Sequence, residues 1–276
     1  MSKKLTVLIF LLSQVFYAQS GWTKKKGEAY TQLSFTTINS YNTIFGNPEY
    51  LTERDITDNT LQFYGEYGLS DKTTIILNVP LKFIETGQLV SNNTEITRAG
   101  SSTSLGNIEM GLKHQVYNHT WVIAAQLNIE ANTGSFDNAT GIRTGIDAWS
   151  FTPTLNASRS FKTFYVQAFA GANIRTNNYS SNLKLGGEIG TKPFKNILLI
   201  AFIDIVESFK NGDIVLPITN QLTALYVNDQ EYISYGLKVI GKITDSFGLN
   251  VGFGGSFSGN NVAKSPAISF GVYHKF

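Results

Sequence analysis

The chain has 276 residues, 42% hydrophobic and 15% charged, with 25 Gly and no Cys. Charged content lies well below the roughly 25% of an average soluble domain, and the lack of Cys excludes a disulfide framework, a Cys-ligated zinc site and a thiol nucleophile. A mean hydropathy close to zero excludes a bundle of membrane helices, which needs several apolar runs of about 20 residues.

The first twenty residues, MSKKLTVLIFLLSQVFYAQS, have the composition of an export signal. Lys3 and Lys4 give a positive start. Leu5 to Leu12 form an apolar core too short to span about 30 Å of hydrocarbon. Ala18-Gln19-Ser20 supplies a small-x-small cleavage pattern. The expected organisation is a signal over 1–20 and one domain over 21–276. Removing the signal takes away two lysines and no acids, so the formal net charge falls from +2 to 0. A neutral exported chain gives no reason to expect nucleic acid as a partner.

After residue 20, apolar and polar residues alternate with the period of a strand. Twelve strands are predicted, near 27–40, 59–70, 72–88, 103–117, 120–134, 149–160, 163–176, 182–192, 196–209, 230–243, 247–258 and 267–276. The last shows the pattern best: Ile268, Phe270, Val272, His274 and Phe276 share one face, and Ser269, Gly271, Tyr273 and Lys275 the other. Short connections at 70–71, 118–119, 161–162, 193–195 and 244–246 alternate strictly with longer polar ones at 41–58, 89–102, 135–148, 177–181, 210–229 and 259–266.

Tight turns at one end, longer loops at the other and an even number of strands describe an outer-membrane barrel. A soluble β-sandwich would alternate too. Here, however, charges gather around the loops, while Tyr117, Trp121, Trp149, Phe161, Phe164, Phe247 and Phe276 sit near strand ends as interfacial girdles do. The expected fold is all-β: a 12-stranded antiparallel transmembrane up-and-down β-barrel with short periplasmic turns and longer extracellular loops. Its expected place is the outer membrane of a Gram-negative bacterium.

If the apolar face meets lipid, the opposite parity lines the lumen. That set is Glu28, Glu66, Lys82, Glu109, Lys113, Glu130, Lys184, Glu188, Asp204 and Lys238. Enclosed charges of both signs must be paired or hydrated, so they form either a polar path for solutes or braces across the barrel. Twelve strands fall between eight-stranded barrels filled by side chains and sixteen-stranded aqueous porins, and no wide pore is expected. Ile76, Ile84, Phe169, Ile200 and Phe202 also point inward and are a candidate apolar ligand patch, or else packing for an inward-folded loop. Pro80 and Pro153 lie inside strands, where each must forfeit a ladder hydrogen bond or sit at a bulge. They are candidate wall kinks, and Pro80 is a candidate lateral exit.

The three histidines do not converge, and no nucleotide, phosphate or calcium motif occurs. No catalytic residue, metal or cofactor is expected, and the chain is not expected to be an enzyme. Expected partners are outer-membrane lipid, a small-molecule solute and the barrel assembly machinery, the last through a C-terminal strand ending in Phe276.

Two stretches carry a family resemblance. YGEYGLSDKTTIILNVPLKF (Tyr64 to Phe83) resembles the hairpin motif of the outer-membrane family labelled "putative MetA-pathway of phenol degradation", and SLGNIEMGLKHQVY (Ser104 to Tyr117) is similar to its next motif. That family is considered related to the fatty-acid and aromatic-hydrocarbon channels. The resemblance therefore implies a channel-like transporter for passive uptake of small solutes, hydrophobic or aromatic ones included. The alternative is a structural or interaction barrel, its lumen braced shut, that presents the 41–58 and 210–229 loops. Only Gly21 to Lys26 precede the first strand, and this length leaves no room for an N-terminal plug.

Overall fold

A computed structural model describes residues 20–90 and 95–276, so the export signal expected over 1–20 lies, apart from Ser20, outside the described residues. Twelve strands form the wall. They are β1 (Ala29–Phe45), β2 (Tyr50–Ser70), β3 (Thr73–Leu89), β4 (two pieces, Gly100–Leu105 and Ile108–Asn118), β5 (Val122–Ala131) and β6 (Ser150–Ser160). The remainder are β7 (Phe164–Arg175), β8 (Asn182–Phe194), β9 (Ile197–Ser208), β10 (Glu231–Lys242), β11 (Phe247–Asn260) and β12 (Ala267–Lys275). Each pairs antiparallel with its neighbours in sequence, and β1 pairs with β12 to close the ring. The expected 12-stranded barrel is the fold.

The alternation decides which side of the wall a residue takes. On β11, Leu249, Val251 and Phe253 point outward and Asn250 points into the lumen. On β12, Ile268, Phe270 and Val272 point outward. Apolar side chains bare on the outside of a closed barrel form the band that meets hydrocarbon. Tyr117, Trp121, Phe161, Phe164 and Phe276 are exposed near the short-turn end, and Trp149 near the long-loop end. Phe161 and Phe164 stack with ring centroids 4.5 Å apart, and the Arg159 guanidinium lies over Phe161. The chain is thus an outer-membrane β-barrel.

The structure changes several local expectations. The 41–58 connection is no loop: β1 and β2 continue outward and meet at a turn around residues 46–49. The strand expected over 103–117 breaks at Gly106 and Asn107, opposite Pro80. Beyond the break, β3 pairs with the outer piece of β4, and Gly106 N–H donates to Pro80 O at 2.9 Å. Pro153 lies where the β6–β7 ladder skips from Thr154 to Phe151. Both prolines therefore sit at interruptions, as the missing N–H requires. Glu28, assigned to the lumen by parity, is exposed beside the periplasmic turns.

The largest correction concerns the ends of the barrel. Residues 20–26 are too few for the plug of a large channel, yet 20–24 lie inside the periplasmic end, with Lys25 and Lys26 exposed at its rim. Gly21 N–H donates to Ser158 Oγ of β6 at 2.8 Å, and Lys24 N–H to Thr74 Oγ1 of β3 at 2.8 Å. Trp22 meets the Tyr165 ring edge-on at 5.7 Å. At the other end the 210–229 segment folds into the barrel instead of standing out from it. A short helix, α1 (Ile218–Thr223), is followed by Ala224, Leu225 and Val227, all buried.

Candidate functional site

The lumen is the candidate site, and it is closed most firmly from outside. There the 132–148 and 209–230 segments lock together. Arg143 Nε donates to Asn220 Oδ1 at 2.9 Å, Asn220 Nδ2 donates to Leu225 O at 2.7 Å, and Thr223 Oγ1 donates to Gly141 O at 2.9 Å. Gly141 has φ +72°, and a Cβ there would strike the Thr219 carbonyl, so this contact needs glycine. Ile142, Ala224 and Leu225 then pack on Ile44, Ile56 and Ile84 of the wall. Tyr226 follows, its phenol pushed up by burial, beside the Lys82 ammonium. Lys82 Nζ is also 3.0 Å from Asp58, which ties the plug to β2 and β3.

Apart from Glu28, the nine other polar residues assigned to the lumen point inward, at different depths. Lys82 lies under the outer plug. Glu130 accepts from Asn107 Nδ2 at 2.8 Å, within the upper lumen. Lys184 lies within electrostatic reach of Glu109 and Asp204, and Lys238 within reach of Glu188 and Asp204. Nearest the periplasm, Glu66 is 3.2 Å from Lys113 and 3.2 Å from Lys24, and it accepts from Tyr64 OH at 2.9 Å. Lys113 has no exposed surface, and both carboxylate and ammonium are enclosed. Buried charge persists only when paired, and this triad links β2, β4 and the N-terminal segment.

The five apolar candidates do not share one site. Ile84 belongs to the outer cluster, Ile200 packs with Leu198, Ile240, Tyr30 and Tyr273 near the periplasm, and Ile76 lies on the wall beside Gly111. Only Phe169 and Phe202 line a common cavity, with Gln167, Glu188, Asp204 and Lys238. Their rings lie against Gly186 and Gly236 of adjacent strands, where any side chain would collide with them. The Lys238 ammonium sits 4.7 Å above the Phe202 ring. The cavity is about 70 Å³, well below the roughly 150 Å³ of a dry cavity that holds benzene. A cavity of this size does not hold an aromatic ring.

A second cavity, of about 650 Å³, lies at the periplasmic mouth between the N-terminal segment and the ends of β8, β9, β10 and β12. Lys24, Arg143, Asn107, Asn220 and Tyr226 were all missed as lumen residues. The plug did leave a sequence signal: Ile214, Val215, Leu216, Ile218, Leu222, Leu225 and Val227 make the 210–229 connection unusually apolar for an external loop. Among the described residues, no group of three or more His, Cys, Asp or Glu could hold a metal ion.

Comparison with known proteins agrees with the barrel. The family described as "Putative MetA-pathway of phenol degradation" matches residues 77–195, a span that holds the second motif and the end of the first. The COG4313 outer membrane channel from Pseudomonas putida F1 superposes with a TM-score of 0.71 at 13% identity, over 95% of this chain and 100% of that one. The KdgM porin superposes at 0.51 with 9% identity, over 90% and 99%. The translocator domain of the autotransporter NalP from Neisseria meningitidis superposes at 0.53 with 9% identity, over 92% and 90%. Channels and a translocator thus share this architecture, and at such identities the likeness establishes the fold. No curated protein sequence matches the chain.

Proposed function

We propose that the barrel is a channel-like transporter that admits small solutes passively, hydrophobic and aromatic ones among them. One observation carries this reading. The outer plug is made of loop segments held by a few side-chain bonds, whereas the wall around it is a closed ladder. Loops joined in this way can withdraw without unfolding the wall, and a polar lumen with a wide periplasmic cavity lies beneath them. The channel and porin descriptions of similar folds, and the family match, support the same reading. The break beside Pro80 offers a lateral exit. It is bridged by Thr133, which donates from Oγ1 to Gly106 O at 2.7 Å and accepts from Ile108 N–H at 2.9 Å.

We read residues 1–20 as the export signal, the chain as non-enzymatic and free of nucleic-acid partners, and the strand ending at Phe276 as the segment offered to the assembly machinery. Cells expressing the full chain should take up labelled toluene faster than cells carrying an empty vector, and faster still after Arg143→Ala. Uptake equal in all three, with the barrel folded in the membrane, would overturn the reading. A second reading, a barrel braced permanently shut, is favoured by the buried Lys24–Glu66–Lys113 triad, and that result would support it.

A further inference from the structure

The periplasmic cavity has a composition unlike the rest of the lumen. Lys24 and Lys25 reach it from the N-terminal segment, and Lys192, Lys195, Lys242 and Lys275 from strand ends and turns. Among the described residues Glu28 and Asp245 are the acidic side chains lining it; Asp245 pairs with Lys242, and Lys24 with Glu66 beyond the lining. The mouth therefore carries a clear excess of positive charge, although the chain after residue 20 is neutral overall. Its floor is different: Leu198, Ile240 and Tyr273, largely buried in the cluster around Ile200, turn a small apolar face to it, and Ile197 and Phe194 extend that face. Phe276 completes the rim.

We propose that this vestibule binds an anionic amphiphile, a small carboxylate with an aromatic or short aliphatic body. The carboxylate sits among the lysines and the body lies on the Leu198–Ile240–Tyr273 floor. Three features select that class. Clustered like charges in a cleft with low-dielectric walls concentrate counter-ions. An apolar floor gives nothing to an inorganic ion, so the ligand needs an apolar part. At about 650 Å³ the cavity is within the 300–1,000 Å³ range of small-molecule pockets, and its concave shape inside the rim suits a small molecule better than a protein surface. The site does not depend on the transport reading, since a mouth can bind ligand whether or not the lumen above it opens.

The test is binding without flux. 4-Fluorobenzoate would be titrated against the full-length folded barrel in non-ionic detergent by ¹⁹F NMR, beside 4-fluorobenzyl alcohol and inorganic phosphate. The benzoate should bind saturably and about tenfold more tightly than either the neutral alcohol or phosphate, and salt should weaken it. Lys192→Gln combined with Lys275→Gln should weaken the benzoate about tenfold and leave the alcohol unchanged. Lys162→Gln, in a periplasmic turn outside the vestibule, should leave both unchanged. Equal binding of benzoate and alcohol would overturn the proposal, because charge would not matter. Phosphate binding as tightly as benzoate would overturn it too, leaving ion attraction alone. So would a benzoate affinity that survives loss of both lysines in a barrel that still shifts mobility on boiling.

Discussion

Lys113 shows how a single side chain stabilises this lumen. A lysine with no exposed surface survives only because Glu66 faces it, and Glu66 also takes Lys24 and the Tyr64 hydroxyl. Removing the shared acid leaves the enclosed Lys113 ammonium without its carboxylate and takes one partner from Lys24. Glu66→Ala should therefore destabilise the barrel by about 3–5 kcal/mol, read as a lower urea midpoint for unfolding from lipid vesicles. An unchanged midpoint would mean that water already satisfies the lysines. On the opposite face the physics changes sign. Leu237 is 61% exposed in the middle of β10 and faces lipid. Leu237→Arg should cost about 2–4 kcal/mol near the bilayer midplane, measured by the same unfolding series, and a cost near zero would place this residue away from hydrocarbon. Which side each of these residues takes was legible from parity alone. The partner Lys24 was not, because it lies before the first strand, where no period operates.

At the level of elements, strands were easier to foresee than what fills the barrel. Alternation persists along a strand because the pleat enforces it, but a plug of loops has no period to read. The break in β4 nevertheless left a trace. Leu105 and Met110 both point outward although they are five positions apart, an odd spacing that an unbroken strand cannot accommodate. The extra residue lets Asn107 turn inward to Glu130 and to Ile146 O, both at 2.8 Å. The plug itself is a hydrogen-bonded unit centred on Asn220, which is fully buried. Asn220→Ala removes the acceptor of Arg143 Nε, a bond that joins the two external segments, and the donor to the Leu225 carbonyl, so these segments should separate. Trypsin added to intact cells should then cut at Arg143 at least about tenfold faster than in the wild type, since local opening governs proteolysis. Unchanged resistance would mean that the apolar cluster around Ile142 holds the plug without these bonds.

For the whole molecule, the count of strands and the alternation of short and long connections specify a closed barrel, because closure is what removes unpaired strand edges from lipid. The unboiled protein should migrate differently from the boiled protein in detergent gels. A single mobility would contradict a closed barrel. Within that wall the molecule is asymmetric along its axis: an outer mouth closed by loops, a small cavity of about 70 Å³ beside Phe169 and Phe202, and a lysine-rich vestibule of about 650 Å³ at the periplasmic end. Parity foretold the charged lining. It did not foretell the closures, which depend on side chains of different segments meeting in space. In a channel of this design the outer plug closes a lumen that would otherwise conduct. The direct measurement is single-channel conductance in a planar bilayer, comparing the wild type with the Arg143→Ala, Asn220→Ala double variant. The wild type should be nearly silent, with brief openings, and the double variant should conduct steadily. Equal, steady conductance from both would contradict the plug, and silence from both would contradict the channel.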